Sequence, residues 1–111
     1  MKYRRIVVAQ RGGPETLRVV EEDLRPPGVG EVRVRVLAAA VSLPDVEARY
    51  GRSPFPPKLP FTPGYAIVGA VDAVGRNGIS PYKPGDRVAA LTVYGGYAEY
   101  TAHGHKLRFW A

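Results

Sequence analysis

Glu31-Val32-Arg33-Val34-Arg35-Val36 alternates a β-branched apolar residue with a charged one at every step. Successive side chains of a strand point to opposite faces, so the three valines share one face and Arg33 and Arg35 the other. A helical period of 3.6 would scatter the valines around the axis. The stretch therefore reads as a half-buried antiparallel strand, apolar toward a core and charged toward water. Leu37 to Ala40 is expected to continue it.

Working outward, the pattern repeats in short pieces separated by breakers. Upstream, Arg5 to Ala9 reads as a strand and Arg11-Gly12-Gly13-Pro14 as a turn. Thr16 to Glu21 reads as the hairpin partner, and Arg25-Pro26-Pro27-Gly28-Val29-Gly30 as a second turn. Downstream, Pro44 to Tyr50 is expected to form one or two helical turns, capped by Ser42 and ended by Gly51. Ser53 to Pro63 carries five prolines and is an extended loop. Gly64 to Gly75 reads as one long strand, bent or bulged at Gly69. Asn77-Gly78 and Lys83-Pro84-Gly85-Asp86 are turns, Arg87 to Leu91 is a strand, and Gly95-Gly96 precedes a last strand over Tyr97 to Thr101. The tail from His103 to Ala111 has no clear period. Six or seven short strands with at most one short helix favour a mainly β fold, a small barrel or sandwich, over an α/β fold.

The chain has 111 residues, enough for one domain and too few for two. It has no cysteine, which excludes disulfides, thiolate nucleophiles and thiolate metal sites. The apolar run Ile6-Val7-Val8-Ala9 is too short for a secretory signal or a membrane span, so a cytoplasmic protein without membrane partners is expected. The net charge of +6 would suit an anionic partner. The basic residues are scattered, however, and several alternate with valines, so a solvated basic surface is preferred over a nucleic-acid site. The aromatic and basic groupings at Arg49, Tyr50 and Arg52, and at Tyr94, Tyr97 and Tyr100, are read as packing and not as a stacking platform.

Candidate chemistry is sparse. The nearest approach to a dinucleotide fingerprint is Gly28-Val29-Gly30, but Arg33 stands where the third glycine belongs and the segment runs into a strand. His103 and His105, the only histidines, lack acidic partners nearby in sequence, and no metal site is expected. The same two histidines leave any serine without a base. One constellation remains. Ser42, Asp45, Arg49 and Tyr50 fall on the segment between two strands, and Tyr65 follows the proline loop. Polar groups on loops held by a rigid β scaffold commonly build pockets. Asp45 and Arg49 at i,i+4 can touch if the helix forms, which would equally make them a local structural ion pair.

Several blocks now align with a known pattern. Ala39-Ala40-Val41-Ser42-Leu43-Pro44-Asp45, with Arg49 and Gly51, resembles the Asn-x-x-Asp-x-x-x-Arg-x-Gly signature of quinone oxidoreductases. Gly12 to Leu17, Gly30-Glu31-Val32, Pro63 to Gly69, Lys83 to Val88 and Gly95 to Tyr100 follow in the same family's order. Together they resemble the N-terminal GroES-like (alcohol dehydrogenase-like) domain of the medium-chain dehydrogenase/reductase superfamily. The resemblance implies an irregular β-barrel over residues 1–111 that forms one wall of a catalytic cleft. It also implies a following Rossmann domain that binds NADP(H) or NAD(H), and a small quinone, enone or carbonyl substrate. Zinc-dependent members place Cys where this chain has Ser42 and His-Glu where it has Tyr65-Ala66, so the resemblance points to the zinc-independent branch. Ser42 stands where Asn is usual and Ser53 where Tyr often closes the signature.

By the same resemblance, Ser42 would hydrogen-bond the substrate carbonyl or the nicotinamide ribose. Asp45 and Arg49 would fix the segment's shape and the pocket's charge, and Tyr65 would line the cleft near the nicotinamide. Family members continue for a further Rossmann domain, so the chain is expected to be incomplete at its C-terminal end, to bind no cofactor alone and not to be active alone. Whether it is an enzyme in its own right stays open. The alternative is a binding or assembly module that pairs with a separate Rossmann subunit or self-associates through Phe109 and Trp110.

Overall fold

The valines at 32 and 34 are fully buried, and Arg33, between them, turns outward to Asp72 on the neighbouring strand, with N–O distances of 2.9 Å. The alternation thus folds as its period dictates. The computed structural model describes residues 1–76, 81–104 and the backbone of Phe109–Trp110. The expected turn at Asn77-Gly78 and the residue His105 lie outside the described residues.

The described elements are strands β1 (Lys2–Val8), β2 (Leu17–Asp23), β3 (Glu31–Ala39), β4 (Ala66–Val74), β5 (Arg87–Leu91), β6 (Tyr100–Gly104) and β7 (Phe109–Trp110), with helix α1 (Leu43–Tyr50) and a 3-10 turn at Pro14–Thr16. The fold is mainly β, as the patterning requires. β1 and β2 form an antiparallel hairpin, and the other five strands form one antiparallel sheet in the order β6-β3-β4-β5-β7. Bridges from Arg5 to Ala98 and from Val8 to Phe61 tie the hairpin to the larger sheet and to the proline loop.

Two apolar clusters hold this together. Val32, Val34, Ile67, Val71, Val88 and Ala90 form the inner face of the large sheet. Val8, Ala48 and Phe61 form a second cluster that seats α1 against β1 and the proline loop, with Leu17 and Tyr94 at its edge. Phe61 and Tyr94 meet edge to face, ring centres 5.8 Å apart.

Several local expectations shift, and the first strand starts at Lys2 rather than at the expected Arg5. The bulge beside Gly69 belongs to the partner strand: Val36 pairs with Gly69 and Ala38 with Val68, which leaves Leu37 of β3 as the extra residue. Gly69 cannot carry the side chain because a Cβ there would stand 2.5 Å from the Arg35 carbonyl oxygen. The last predicted strand, Tyr97 to Thr101, moves to Tyr100–Gly104. The backbone of residues 97–99 is taken up elsewhere: Tyr97 N–H donates to Pro63 O, Ile6 N–H to Tyr97 O, and Glu99 N–H to Arg4 O. That short crossing links the two sheets, and its last carbonyl, Glu99 O, accepts from Val36 N–H of β3 where the ladder with β6 starts. The tail, which shows no sequence period, supplies β7, whose backbone pairs with Ala89 and Ala90.

Some of the basic side chains are matched by acidic ones. Lys2, Arg4, Arg5, Arg25, Arg33 and Arg52 each have a carboxylate oxygen within 4.0 Å. Among the described residues no helix is long and apolar enough to cross a membrane.

Candidate functional site

Helix α1 begins where Ser42 adopts an extended backbone and Pro44 supplies the first-turn φ that a helix needs. It ends at Gly51, whose φ of 74° is open to glycine at little strain, with Gly51 N–H on Ala48 O and Arg52 N–H on Glu47 O. Asp45 sits in the first turn, 5% exposed. Its Oδ2 accepts the Ser42 N–H, the Ser42 hydroxyl and the Tyr97 hydroxyl at 3.1, 3.1 and 3.0 Å. Its Oδ1 accepts the Gly64 N–H at 3.0 Å. One buried carboxylate therefore joins the helix start, the end of the proline loop and the crossing before β6. Four donors converging on it compensate for the loss of water. Burial, then the Asp45 charge and hydrogen bond, push the Tyr97 hydroxyl up to about 12.

Gly64 makes this junction possible. Its φ is 120°, and a Cβ there would stand 2.5 Å from the backbone nitrogens of Gly96 and Tyr97. The two backbones touch because neither Gly64 nor Gly96 carries a side chain.

Asp45 and Arg49 do not form the ion pair their spacing allows. The carboxylate is taken by the donors just named, and Arg49 turns the other way. Its Nε donates to Gly12 O at 3.0 Å, while Gly12 N–H donates to Arg49 O at 3.1 Å, so the helix end is bonded reciprocally to the first turn. Arg11 adds bonds to Ala48 O and Pro57 O. Tyr50 meets two guanidinium groups, with Arg49 Cζ 5.2 Å and Arg52 Cζ 4.4 Å from its ring centre.

On the opposite side of α1 lies a cleft of about 500 Å³. Leu43 and Ala48 of the helix, Phe55 of the proline loop, and Tyr65, Val93 and Tyr94 give it an apolar, aromatic lining. Glu47 and Arg52, 4.0 Å apart, supply charge to it. Ser53 also lines it, and its buried hydroxyl has no hydrogen-bond partner among the described residues. Of the five residues singled out from sequence, Tyr65 lines this cleft. Ser42 and Asp45 brace the adjoining helix start, and Arg49 and Tyr50 lie at the helix end. Sequence reasoning passed over Phe55 and Val93 because loop residues carry no period, and it read Tyr94 as packing. It also passed over Tyr97 as the partner of Asp45, 52 positions away.

The residues at the zinc positions of related enzymes do not fit that ion. Ser42, Tyr65 and Ala66 offer a hydroxyl, a phenol and a methyl, and the Ser42 proton is committed to Asp45. Among the described residues no three His, Asp or Glu side chains cluster closely enough to hold a metal. The Gly28–Gly30 turn does not fit a dinucleotide either. Gly28 N–H donates to Glu31 Oε1 at 2.7 Å and Gly30 N–H to Arg76 O at 3.3 Å, so its amides face partners within the chain and form no phosphate cradle.

Comparison with known proteins agrees with this architecture. Residues 28–109 match the model of the alcohol dehydrogenase GroES-like domain. A quinone oxidoreductase of Lama guanicoe is 41% identical over 99 residues, covering 87% of this chain and 30% of its own length. The crystal structure of human synaptic vesicle membrane protein VAT-1 homolog-like protein superposes with a TM-score of 0.89 at 33% identity, over 99% of this chain and 35% of that one. Escherichia coli quinone oxidoreductase, solved in complex with NADPH, gives 0.85 at 32% identity, over 97% and 33%. This chain thus spans about a third of the length of the proteins it matches. By the match of most of its length, the chain belongs to the alcohol dehydrogenase GroES-like domain family, within the medium-chain dehydrogenase/reductase proteins that include the quinone oxidoreductases.

Proposed function

We propose that this chain forms the substrate-side wall of the cleft of a zinc-independent, NADP(H)-dependent oxidoreductase, and that the cleft beside α1 receives a small planar quinone, enone or related carbonyl. The observation that carries the reading is the cleft of about 500 Å³, aromatic in lining and rimmed by one charge pair, in a chain related to quinone oxidoreductases. That volume suits a drug-sized or smaller ligand, and flat apolar walls with few polar groups suit a flat, weakly polar one.

The side chains have separable roles under this reading. Tyr65 is half-buried and its hydroxyl makes no hydrogen bond among the described residues, so it is the group free to donate to a ligand carbonyl. Ser42 gives its hydroxyl proton to Asp45 and takes part in the capping box at the start of α1, so it could meet a ligand only as an acceptor. Asp45 and Arg49 are positioning residues: one fixes the start of α1 and the other its end. Tyr50 packs with Arg49 and Arg52 beside the cleft and does not line it.

NADP(H) would be held by a nucleotide-binding portion outside what this chain matches, either in the same polypeptide or in a separate subunit. One feature of the large sheet supports this part of the reading. Ala38, Ala39, Ala66, Val68, Ala89 and Leu91 line a second, almost wholly apolar concavity of about 440 Å³ on the large sheet, and Val68 is 48% exposed. Exposed apolar surface of this kind marks a place where another body packs. The same surface would serve a stand-alone assembly module, the second reading.

Calorimetric titration of the purified 111-residue chain tests the proposal. A soluble quinone such as duroquinone is expected to bind weakly and saturably, and NADPH is expected to show no micromolar binding. Micromolar NADPH affinity would overturn the assignment of the nucleotide site to another portion, and no quinone binding at millimolar concentration would overturn the assignment of the cleft.

A further inference from the structure

Val93 has a φ of 66°, the one non-glycine residue in the left-handed region among those described. A β-branched residue there is a steric outlier, because its Cβ substituents crowd the adjoining peptide. The local hydrogen bonds show why the backbone turns so sharply. Tyr94 N–H donates to Thr92 O at 2.7 Å, closing a three-residue γ-turn with Val93 at its centre. The turn is fixed from both sides. Thr92 N–H and Val93 N–H both donate to Tyr65 O, at 2.7 and 3.2 Å. The Thr92 hydroxyl donates to Gly64 O at 2.6 Å, and Gly95 N–H to Thr62 O at 2.8 Å.

The backbone geometry is therefore set by Thr92, Tyr65 and Thr62, and glycine would satisfy it with less strain. Burial does not explain the valine. Thr92 beside it is 4% exposed, whereas Val93 is 41% exposed and leaves water only in part. What its exposed isopropyl group does touch is the cleft, which it lines together with Tyr65, Tyr94 and Phe55. Strain held in place by surrounding bonds and spent on a partly exposed side chain at a cleft wall is the pattern seen where a side chain serves recognition.

We propose that Val93 sets the size of ligand the cleft admits: a stiff, β-branched side chain on a rigid γ-turn acts as a fixed stop against larger planar rings. The proposal rests on the cleft being the ligand site, as argued above. It goes further by naming the residue that discriminates among ligands. A side chain free to swing would yield to a larger ring, but valine has few χ1 choices and its backbone cannot shift without breaking the bonds to Tyr65. Small differences in the fill of an apolar pocket discriminate by roughly 10- to 200-fold.

The test compares Val93→Gly, Val93→Ala and Val93→Thr in the 111-residue chain. Affinities for duroquinone, with one ring, and 9,10-phenanthrenequinone, with three fused rings, are read from amide chemical shifts, and stability from thermal melting. Val93→Gly is expected to melt no lower than Val93→Ala, because glycine relieves the left-handed strain. It is also expected to shift the affinity ratio toward the three-ring quinone by about tenfold. Val93→Thr, the same shape, should keep the wild-type ratio. A ratio that stays within twofold in Val93→Gly would overturn the size-stop role while leaving the cleft as the ligand site. A Val93→Gly chain that melts below Val93→Ala would overturn the strain argument beneath it. Shifts absent from every cleft residue of the wild type, with either quinone, would instead remove the ligand site itself and the proposal with it.

Discussion

Replacing Asp45 by alanine removes the single acceptor of four donors: Ser42 N–H, Ser42 Oγ–H, Gly64 N–H and Tyr97 Oη–H, all between 3.0 and 3.1 Å. The two hydroxyls can rotate toward water or toward other acceptors, since Ser42 and Tyr97 are only half-buried. The two backbone amides cannot, and Gly64 is fully enclosed by Gly96 and Tyr97. Each stranded amide costs about 1–3 kcal/mol, and loss of the carboxylate at the first turn of α1 removes about 1 kcal/mol more. Relief of the desolvated charge works against this. The net expectation is a loss of about 3 kcal/mol. With a urea slope of roughly 1.5 kcal/mol/M for a domain of this size, the unfolding midpoint should fall by about 2 M. The loss is a large share of the ~5–15 kcal/mol that a small domain possesses. Asp45→Asn should cost less, because its amide oxygen can still accept from Gly64 while its NH₂ meets donors at Ser42. Tyr97→Phe should cost about 1 kcal/mol alone and less in the Asp45→Ala background, since the two share one bond. Urea unfolding followed by circular dichroism measures all four variants against the wild type. An Asp45→Ala midpoint within about 0.5 M of wild type would refute the claim that this carboxylate holds the junction.

Two further outcomes follow from the same junction. Gly64→Ala places a Cβ 2.5 Å from two backbone nitrogens at a φ of 120°, and should cost upward of about 3 kcal/mol or prevent folding, read by the same urea titration. Alkaline stability should decline between about pH 10 and 12. The Tyr97 pKa is raised from 10.0 to about 12 in the folded chain, so over that range the unfolded chain releases a proton that the folded chain retains, and unfolding is favoured as pH rises. Tyr97→Phe should remove that part of the alkaline decline, whereas an unchanged profile would show that the phenol is not buried against Asp45.

Much of the fold is legible because its strands obey a period of two. Val32 and Val34 are buried and Arg33 is turned out, as an alternating strand facing one core demands. The helix is legible from its ends: Ser42, Pro44 and Gly51 mark stops and starts that depend on neighbouring backbone alone. What escapes the sequence is set by tertiary partners. Residues 97–99 carry strand-like patterning, but their backbone bonds go mostly to Arg4, Ile6 and Pro63, and only Glu99 O reaches β3, accepting from Val36 N–H, so the strand begins three residues later. Asp45 and Arg49 stand four apart on a helix, and the carboxylate instead finds Gly64 and Tyr97, donors distant in the chain. The candidate site follows the same division. Tyr65 is reachable from a motif, while Val93 enters the cleft through a turn whose cause is the Tyr65 carbonyl and not any local preference for a left-handed valine.

The most direct test of the cleft as the ligand site is a map of amide chemical shifts as duroquinone is added to the ¹⁵N-labelled chain. Shifts gathered on Leu43, Ala48, Phe55, Tyr65, Val93 and Tyr94 are the predicted result. Shifts gathered instead on the polar pocket of Tyr3, Arg5, Arg33 and Tyr100, or on the apolar sheet face around Val68 and Leu91, would contradict it.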